Sequence, residues 1–196
     1  MRTLQLPPPT VDVRRSADRF TTRTSWLDSK HSFSFGHHYD PGNVGHGLLL
    51  VNNDDVVKAG TGFDTHPHRD MEIVTWVMRG SLVHQDSTGH SGIIYPGLAQ
   101  RMSAGRGIRH SEVNASPVHD LHLVQMWVLP DTRGIEPGYE QRSFPVEEKR
   151  GRLRLVASPD GAEGSVRIHA DARMYAGLFD GAESASLSLD PARAYY

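Results

Sequence analysis

Along most of the chain, apolar and polar residues alternate with a period of two, in short runs divided by Gly, Pro and Asn. That is the pattern of half-buried β-strands, in which side chains at i and i+2 share a face. Trp26-Leu27-Asp28 through Phe33-Ser34-Phe35 predicts an early strand, followed by a turn at Tyr39-Asp40-Pro41-Gly42-Asn43. Leu48-Leu49-Leu50-Val51-Asn52 predicts a short buried strand stopped by Asn53-Asp54-Asp55. Glu72 to Met78 predicts another, with Arg79-Gly80 as a hairpin turn answered by Ser81-Leu82-Val83-His84-Gln85. Turns follow at Thr88-Gly89 and Tyr95-Pro96-Gly97, and Leu121 to Leu129 predicts a long strand ended by Pro130. Strands recur about every 8–12 residues, with no helix-period pattern through residue 130. The expectation is an all-β fold, a jelly roll or barrel.

Residues 131–145 carry two Gly and two Pro and predict a crossing segment. Beyond it, Arg152 to Val156, Ser165 to His169, Met174 to Phe179 and Ala185 to Leu189 predict four short strands. An incomplete sheet exposes an edge and an apolar face, so this part must pack on the first domain or on a partner. The resulting division is an N-terminal arm over 1–24, a β domain over 25–135 and a partial second domain over 136–196. The arm is polar, with Leu6-Pro7-Pro8-Pro9 stiff and extended.

Composition narrows the partners. Net charge is −2 with histidines neutral, and no Lys/Arg run stands out, so direct binding to nucleic acid or an anionic membrane is not expected. The absence of cysteine excludes disulfides, thiolate metal sites and a cysteine nucleophile. There is no apolar run of membrane-spanning length and no signal-peptide core, so the expected location is cytoplasmic.

The 12 histidines bring in chemistry. His66-Pro67-His68 places two imidazoles at i and i+2, and Pro67 pushes His66 toward extended geometry. With this histidine content, chance alone supplies roughly 0.7 His-x-His pairs, so the pair needs context. His110-Ser111-Glu112 repeats the spacing with an imidazole and a carboxylate. If the two strands lie side by side with both pairs facing inward, His66, His68, His110 and Glu112 converge as four donors. Three imidazoles and a carboxylate suit a divalent first-row metal and resemble the open sites of non-haem iron proteins. Ligand types alone leave zinc, copper, nickel and manganese open. Glu72, four residues from His68, is a rival carboxylate, and His84 with Asp86 and His119 with His122 are rival clusters ranked below the first set. His31, His37, His38 and His46 are expected on the surface or in loops.

These residues carry a family resemblance. Gly60, His66-Pro67-His68, Glu72 and Gly80 resemble the first cupin motif, and His110 with Asn114 the second. More specifically, Trp26 to Phe35, Thr65 to Glu72, Ser103 to Glu112, Leu121 to Pro130, Tyr139 to Arg142 and Leu153 to Gly161 resemble the pirin family, bicupins that include bacterial quercetinase-like members. The resemblance implies a cupin in the N-terminal domain and a second, partial cupin after it. It implies one divalent metal ion, commonly Fe(II), with Zn, Cu, Ni, Mn or Co as other occupants, held at His66, His68, His110 and Glu112, and it makes Glu72 a non-ligand. The family's chain continues for several strands past the position of Leu189, so the second cupin is expected to be truncated.

The resemblance implies a metal-dependent dioxygenase that opens the heterocyclic ring of a flavonol such as quercetin with O2, Glu112 acting as the catalytic proton acceptor. The alternative is a non-catalytic, metal- or redox-dependent pirin that binds a protein partner, a transcription factor or metabolic enzyme. A cupin of different chemistry, such as an isomerase, is a third reading.

Overall fold

The computed structural model describes residues 11–196, and the proline-rich run at Leu6 to Pro9 lies outside them. Fourteen strands follow in order: β1 (Phe20–Arg23), β2 (Leu27–His31), β3 (Leu49–Val57), β4 (Gly62–His68), β5 (Glu72–Arg79), β6 (Leu82–Asp86), β7 (Ser91–Ile94), β8 (Leu98–Ser103), β9 (Ile108–Asn114), β10 (Leu121–Val128), β11 (Gly138–Ser143), β12 (Arg154–Ser158), β13 (Val166–Arg167) and β14 (Met174–Ala176). They form a seven-stranded sheet ordered β1-β2-β3-β10-β5-β8-β11, a four-stranded sheet ordered β4-β9-β6-β7, and a three-stranded sheet ordered β13-β12-β14. The first two sheets are wholly antiparallel. Facing one another, they make the cupin jelly roll. No helix among the described residues is long and apolar enough to cross a membrane.

The sheets are joined by a core in which Leu82 and Ile94 from the smaller sheet meet Val57, Val77, Leu98, Leu121 and Leu123 from or beside the larger one. Strands β5 and β8 are buried on both faces. Ile73 and Met102 pack together on one face, where Ile108 of β9 joins them. On the other, Ala99 and Trp76 meet Phe144, Val156, Ala157 and Val166, and Val74 meets Ile168 and Ala170. The small third sheet therefore packs on the outer face of the large one, covering the apolar surface that an incomplete sheet must bury.

Several local expectations are corrected. Asn53, Asp54 and Asp55 do not stop a strand, because β3 runs through them with strict alternation. Asn53 and Asp55 face inward opposite His31 and Ser29 of β2, and the Asn53 side chain bonds His31 Nδ1 at 2.8 Å. Polar partners on the neighbouring strand thus let polar residues occupy buried strand positions. Arg79-Gly80 is not a hairpin, since β5 pairs with β10 and β8 whereas β6 pairs with β7 and β9. Gly80, at φ 84, turns the chain from one sheet to the other. The expected arm ends in an edge strand, with Phe20 to Arg23 pairing along β2. The crossing segment contains β11, which pairs with β8. Residues 185–189 form no strand.

Candidate metal centre

Strands β4 and β9 run antiparallel, with His66 opposite His110 and Pro67 opposite Arg109. The ring centroids of His66 and His110 are 4.4 Å apart, and His68 lies 4.9 Å from each. Donor nitrogens of the three imidazoles fall within 4.8 Å of one another. Gly62, on the same strand, stands so close to β9 that a Cβ there would lie 2.3 Å from the Glu112 carbonyl oxygen. Between Phe63 and His66 the register shifts, and the Asp64 carbonyl accepts a 2.7 Å hydrogen bond from His66 Nδ1. That bond leaves His66 Nε2 with a lone pair.

His68 Nε2 and His110 Nε2 are buried without a hydrogen-bond partner among the described residues. Buried side-chain nitrogens are ordinarily satisfied, and an orphaned pair beside a third imidazole fits a cation. Burial, then the neighbouring charge of His66, lowers the pKa of His68 to about 4. Burial, then His66, His68 and His84, lowers that of His110 to about 2. Both rings are therefore neutral at pH 7, the state in which imidazole ligates a metal.

Glu112 shares the inward face of β9 with His110. Its two carboxylate oxygens accept from Gln125 Nε2 at 3.0 and 2.9 Å. Gln125 Oε1 in turn accepts from Trp127 Nε1 at 3.0 Å, and the Trp127 ring meets His68 edge-on with centroids 4.8 Å apart. Burial raises the Glu112 pKa to about 7, with Gln125 opposing and Asp55 adding to the shift. The carboxylate comes within 4.8 Å of donor atoms on His110 and His84, whereas the set of that span containing His66 and His68 is the three imidazoles alone. An open pocket of about 360 Å³ lies beside His68, lined by Arg69, Arg109, Ser87 and Gly107 among others.

Two of the rival sets are engaged elsewhere. Glu72 is buried between the large sheet and the C-terminal part, accepting from Ser103 Oγ at 2.9 Å and His169 N at 3.0 Å. His122 pairs with Asp54 at 2.6 Å on the half-exposed surface, and the His119 carbonyl accepts from Asn114 Nδ2. His31 is buried on β2 rather than at the surface, because Thr22 and Asn53 satisfy both its ring nitrogens.

His84 with Asp86, ranked by sequence below the first set, lies next to it in the structure. Strand β6 pairs with β9 so that His84 faces Glu112 and Asp86 faces His110. His84 is fully buried, with its Nδ1 3.3 Å from His110 Nδ1 and its Nε2 3.1 Å from Asp86 Oδ2. Burial lowers the His84 pKa against the opposing pull of Asp86. Burial favours a protonated Asp86, but hydrogen bonds from Thr88, His84 and His90 outweigh it and hold the carboxyl below its usual range. Tyr139 of β11 packs against His84, centroids 4.9 Å apart. The signal was the period-two spacing Leu82, His84, Asp86 on a strand, which gains meaning only once that strand is paired with β9.

The pirin family model matches residues 11–128, and a quercetinase C-terminal cupin model matches residues 155–196. The chain belongs to the pirin family. It is 60% identical over 161 residues to a putative quercetin 2,3-dioxygenase of Mycobacterium tuberculosis, covering 82% of this chain and 66% of that relative. It is 48% identical over 165 residues to a quercetin 2,3-dioxygenase of Escherichia coli, covering 84% and 70%. The chain thus spans about two thirds of the length of such curated relatives. The structure of the E. coli bacterial pirin YhhW in complex with nickel(II) superposes with TM-score 0.78 at 48% identity, covering 83% of this chain and 69% of that one. Membership agrees with the resemblance carried by the two cupin motifs and with the jelly roll described above.

Proposed function

We propose that this pirin is a metal-dependent dioxygenase that opens the heterocyclic ring of a flavonol such as quercetin. In this reading His66, His68, His110 and Glu112 hold one divalent ion, with Fe(II) the occupant that a histidine–carboxylate site with open positions suits best. The observation that carries the proposal is the convergence of three imidazoles, two of them with buried and unpartnered Nε2 atoms. The relatives named quercetin 2,3-dioxygenase support the substrate class, and the nickel(II) complex of YhhW supports divalent-metal binding in the family.

An ion bound there would supply a Lewis acid that acidifies the flavonol hydroxyl, and the chemistry that activates O2. The chain's residues supply the rest. His68 and His110 are presented neutral, with their Nε2 lone pairs buried away from water. Glu112, whose carboxyl is raised by burial to about 7 in the metal-free chain, is the residue placed to take up the hydroxyl proton. Gln125 keeps one amide on that carboxylate throughout, and Trp127 walls the site beside His68. The 360 Å³ pocket next to His68 is of ligand-binding size.

The test is O2 consumption and loss of flavonol absorbance by the Fe(II)-loaded chain. Turnover that disappears in His66→Ala is the expected result. No turnover in the loaded protein, or unchanged turnover in His66→Ala, would sink the proposal.

A further inference from the structure

We infer that Asp86 and His84 are positioning residues that dictate which nitrogen of His110 carries its proton, and so present the His110 Nε2 lone pair to the metal centre. The inference rests on the proposed role of His110 as a ligand, but the proton order itself follows from the chain's own hydrogen bonds.

The order can be read from the outer end inward. Asp86 Oδ1 accepts from Thr88 N at 2.8 Å, Thr88 Oγ1 at 2.6 Å and His90 N at 3.2 Å. An aspartate is ordinarily ionised at neutral pH, and three donors on Oδ1 favour that charge, so the carboxylate can only accept. Its Oδ2, 3.1 Å from His84 Nε2, therefore takes a proton from that nitrogen. A neutral His84 then has a lone pair on Nδ1. His84 Nδ1 faces His110 Nδ1 at 3.3 Å, so the proton between them belongs to His110. A neutral His110 protonated at Nδ1 has its lone pair on Nε2, the buried atom without a partner. The reverse order would leave a buried N–H with no acceptor, aimed at two other imidazoles.

The side chains of His84 and Asp86 are both 0% exposed, so water does not substitute for either partner. Strand register maintains the relay, since Asp86 sits opposite His110 and His84 opposite Glu112 on the paired strands. His66 achieves the same tautomer by a shorter route, donating Nδ1–H to the Asp64 carbonyl. For His66 and His110 the free nitrogen is thus selected by what the other nitrogen bonds, a device that commonly governs metal affinity.

Asp86→Asn inverts the relay while keeping its shape. The three donors at the Oδ1 position force the amide oxygen there, which turns the NH2 toward His84 Nε2. His84 must then carry its proton on Nδ1, and His110 on Nε2, where it blocks the metal. Nitrogen-15 NMR of the imidazoles in the metal-free full chain reads the tautomer directly, and chelator competition with zinc(II) reads affinity. Expected are an Nδ1–H tautomer for His110 in the wild type, an Nε2–H tautomer in Asp86→Asn, and zinc affinity weaker by about 10–100-fold in the variant. An Nε2–H tautomer of His110 in the wild type overturns the inference even if the variant fails to fold. Unchanged zinc affinity in a folded Asp86→Asn overturns it as well. A wild type with the Nδ1–H tautomer that binds no zinc upholds the relay and sinks the metal centre instead.

Discussion

His66 and His110 stand directly opposite one another on β4 and β9, with ring centroids 4.4 Å apart and an Nε2 on His110 that nothing among the described residues satisfies. A cross-strand pair of this kind is held by backbone register, so the two Cβ atoms stay adjacent as long as the ladder between the strands holds.

The first expectation concerns the cluster itself. His110→Ala removes one of three converging donors and is expected to weaken metal binding beyond the ~100-fold that loss of a supporting hydrogen bond can cause. His122→Ala is the matched control, because His122 is paired with Asp54 on the surface. Elemental analysis after dialysis against a chelator should find metal in the control and none in His110→Ala. Equal retention in both would place the metal elsewhere.

Gly62 tests whether the close approach of β4 to β9 is required. A Cβ at this position would meet the Glu112 carbonyl oxygen at 2.3 Å and the Val113 Cα at 2.6 Å, both backbone atoms that cannot rotate away. Gly62→Ala must push the strands apart, with an overpacking cost of about 1–3 kcal/mol. Since the displaced ladder also positions His66 against His110, metal affinity should fall together with the urea midpoint. A variant that loses stability but keeps wild-type affinity would show that the site tolerates the displacement.

What sequence could and could not convey follows from the range of each interaction. The pairs at His66/His68 and His110/Glu112 announce themselves because period two is local, and the glycine and proline context marks the strands that carry them. Jelly-roll architecture was readable for the same reason. By contrast, Asn53 and Asp55 look like a strand terminator until Ser29 and His31 are known to lie opposite them. Arg79-Gly80 has hairpin chemistry, yet the two strands it joins pair with other partners in separate sheets. The role of His84 depends on β6 pairing with β9, a contact between residues 26 apart that no local pattern encodes. Glu72 was set aside as a ligand only by family resemblance, whereas the structure gives it a physical task, binding His169 N 97 residues away.

That task leads to a third expectation. Glu72 Oε2 accepts from both Ser103 Oγ and His169 N, which ties the large sheet to the segment packed on its outer face. Glu72→Ala leaves His169 N without its acceptor, and leaves Ser103 Oγ only His169 Nδ1 at 3.1 Å, and should cost about 1–3 kcal/mol. The loss should be local. Hydrogen exchange is expected to quicken around residues 166–176, while metal content stays at the wild-type level because the three imidazoles are on other strands. Uniform acceleration over the whole chain, or loss of metal, would contradict a purely structural role for Glu72.

The last expectation concerns acid. In the metal-free protein, His68 at about 4 and His110 at about 2 lie below the ordinary 6.5. The unfolded chain therefore binds protons that the folded one refuses, and these two groups lower stability as pH falls below 6.5. Glu112 has the opposite sign. Its carboxyl is raised from 4.5 to about 7, so its contribution is fully present below pH 4.5 and is lost as pH rises through 7. Asp55, raised to about 6 by burial, acts in the same direction. Across the interval from 4.5 to 6.5 the buried acids thus offset part of the penalty from the buried imidazoles. Glu112→Gln removes one offsetting group and keeps the amide contact with Gln125 sterically possible. Urea titrations in chelator should find the stability of Glu112→Gln, relative to wild type, falling by roughly 1.4 kcal/mol for each pH unit of acidification within that interval. Parallel pH profiles for the two proteins would mean that Glu112 is ionised in the folded state well below neutrality, a weaker base than one matched to neutral pH.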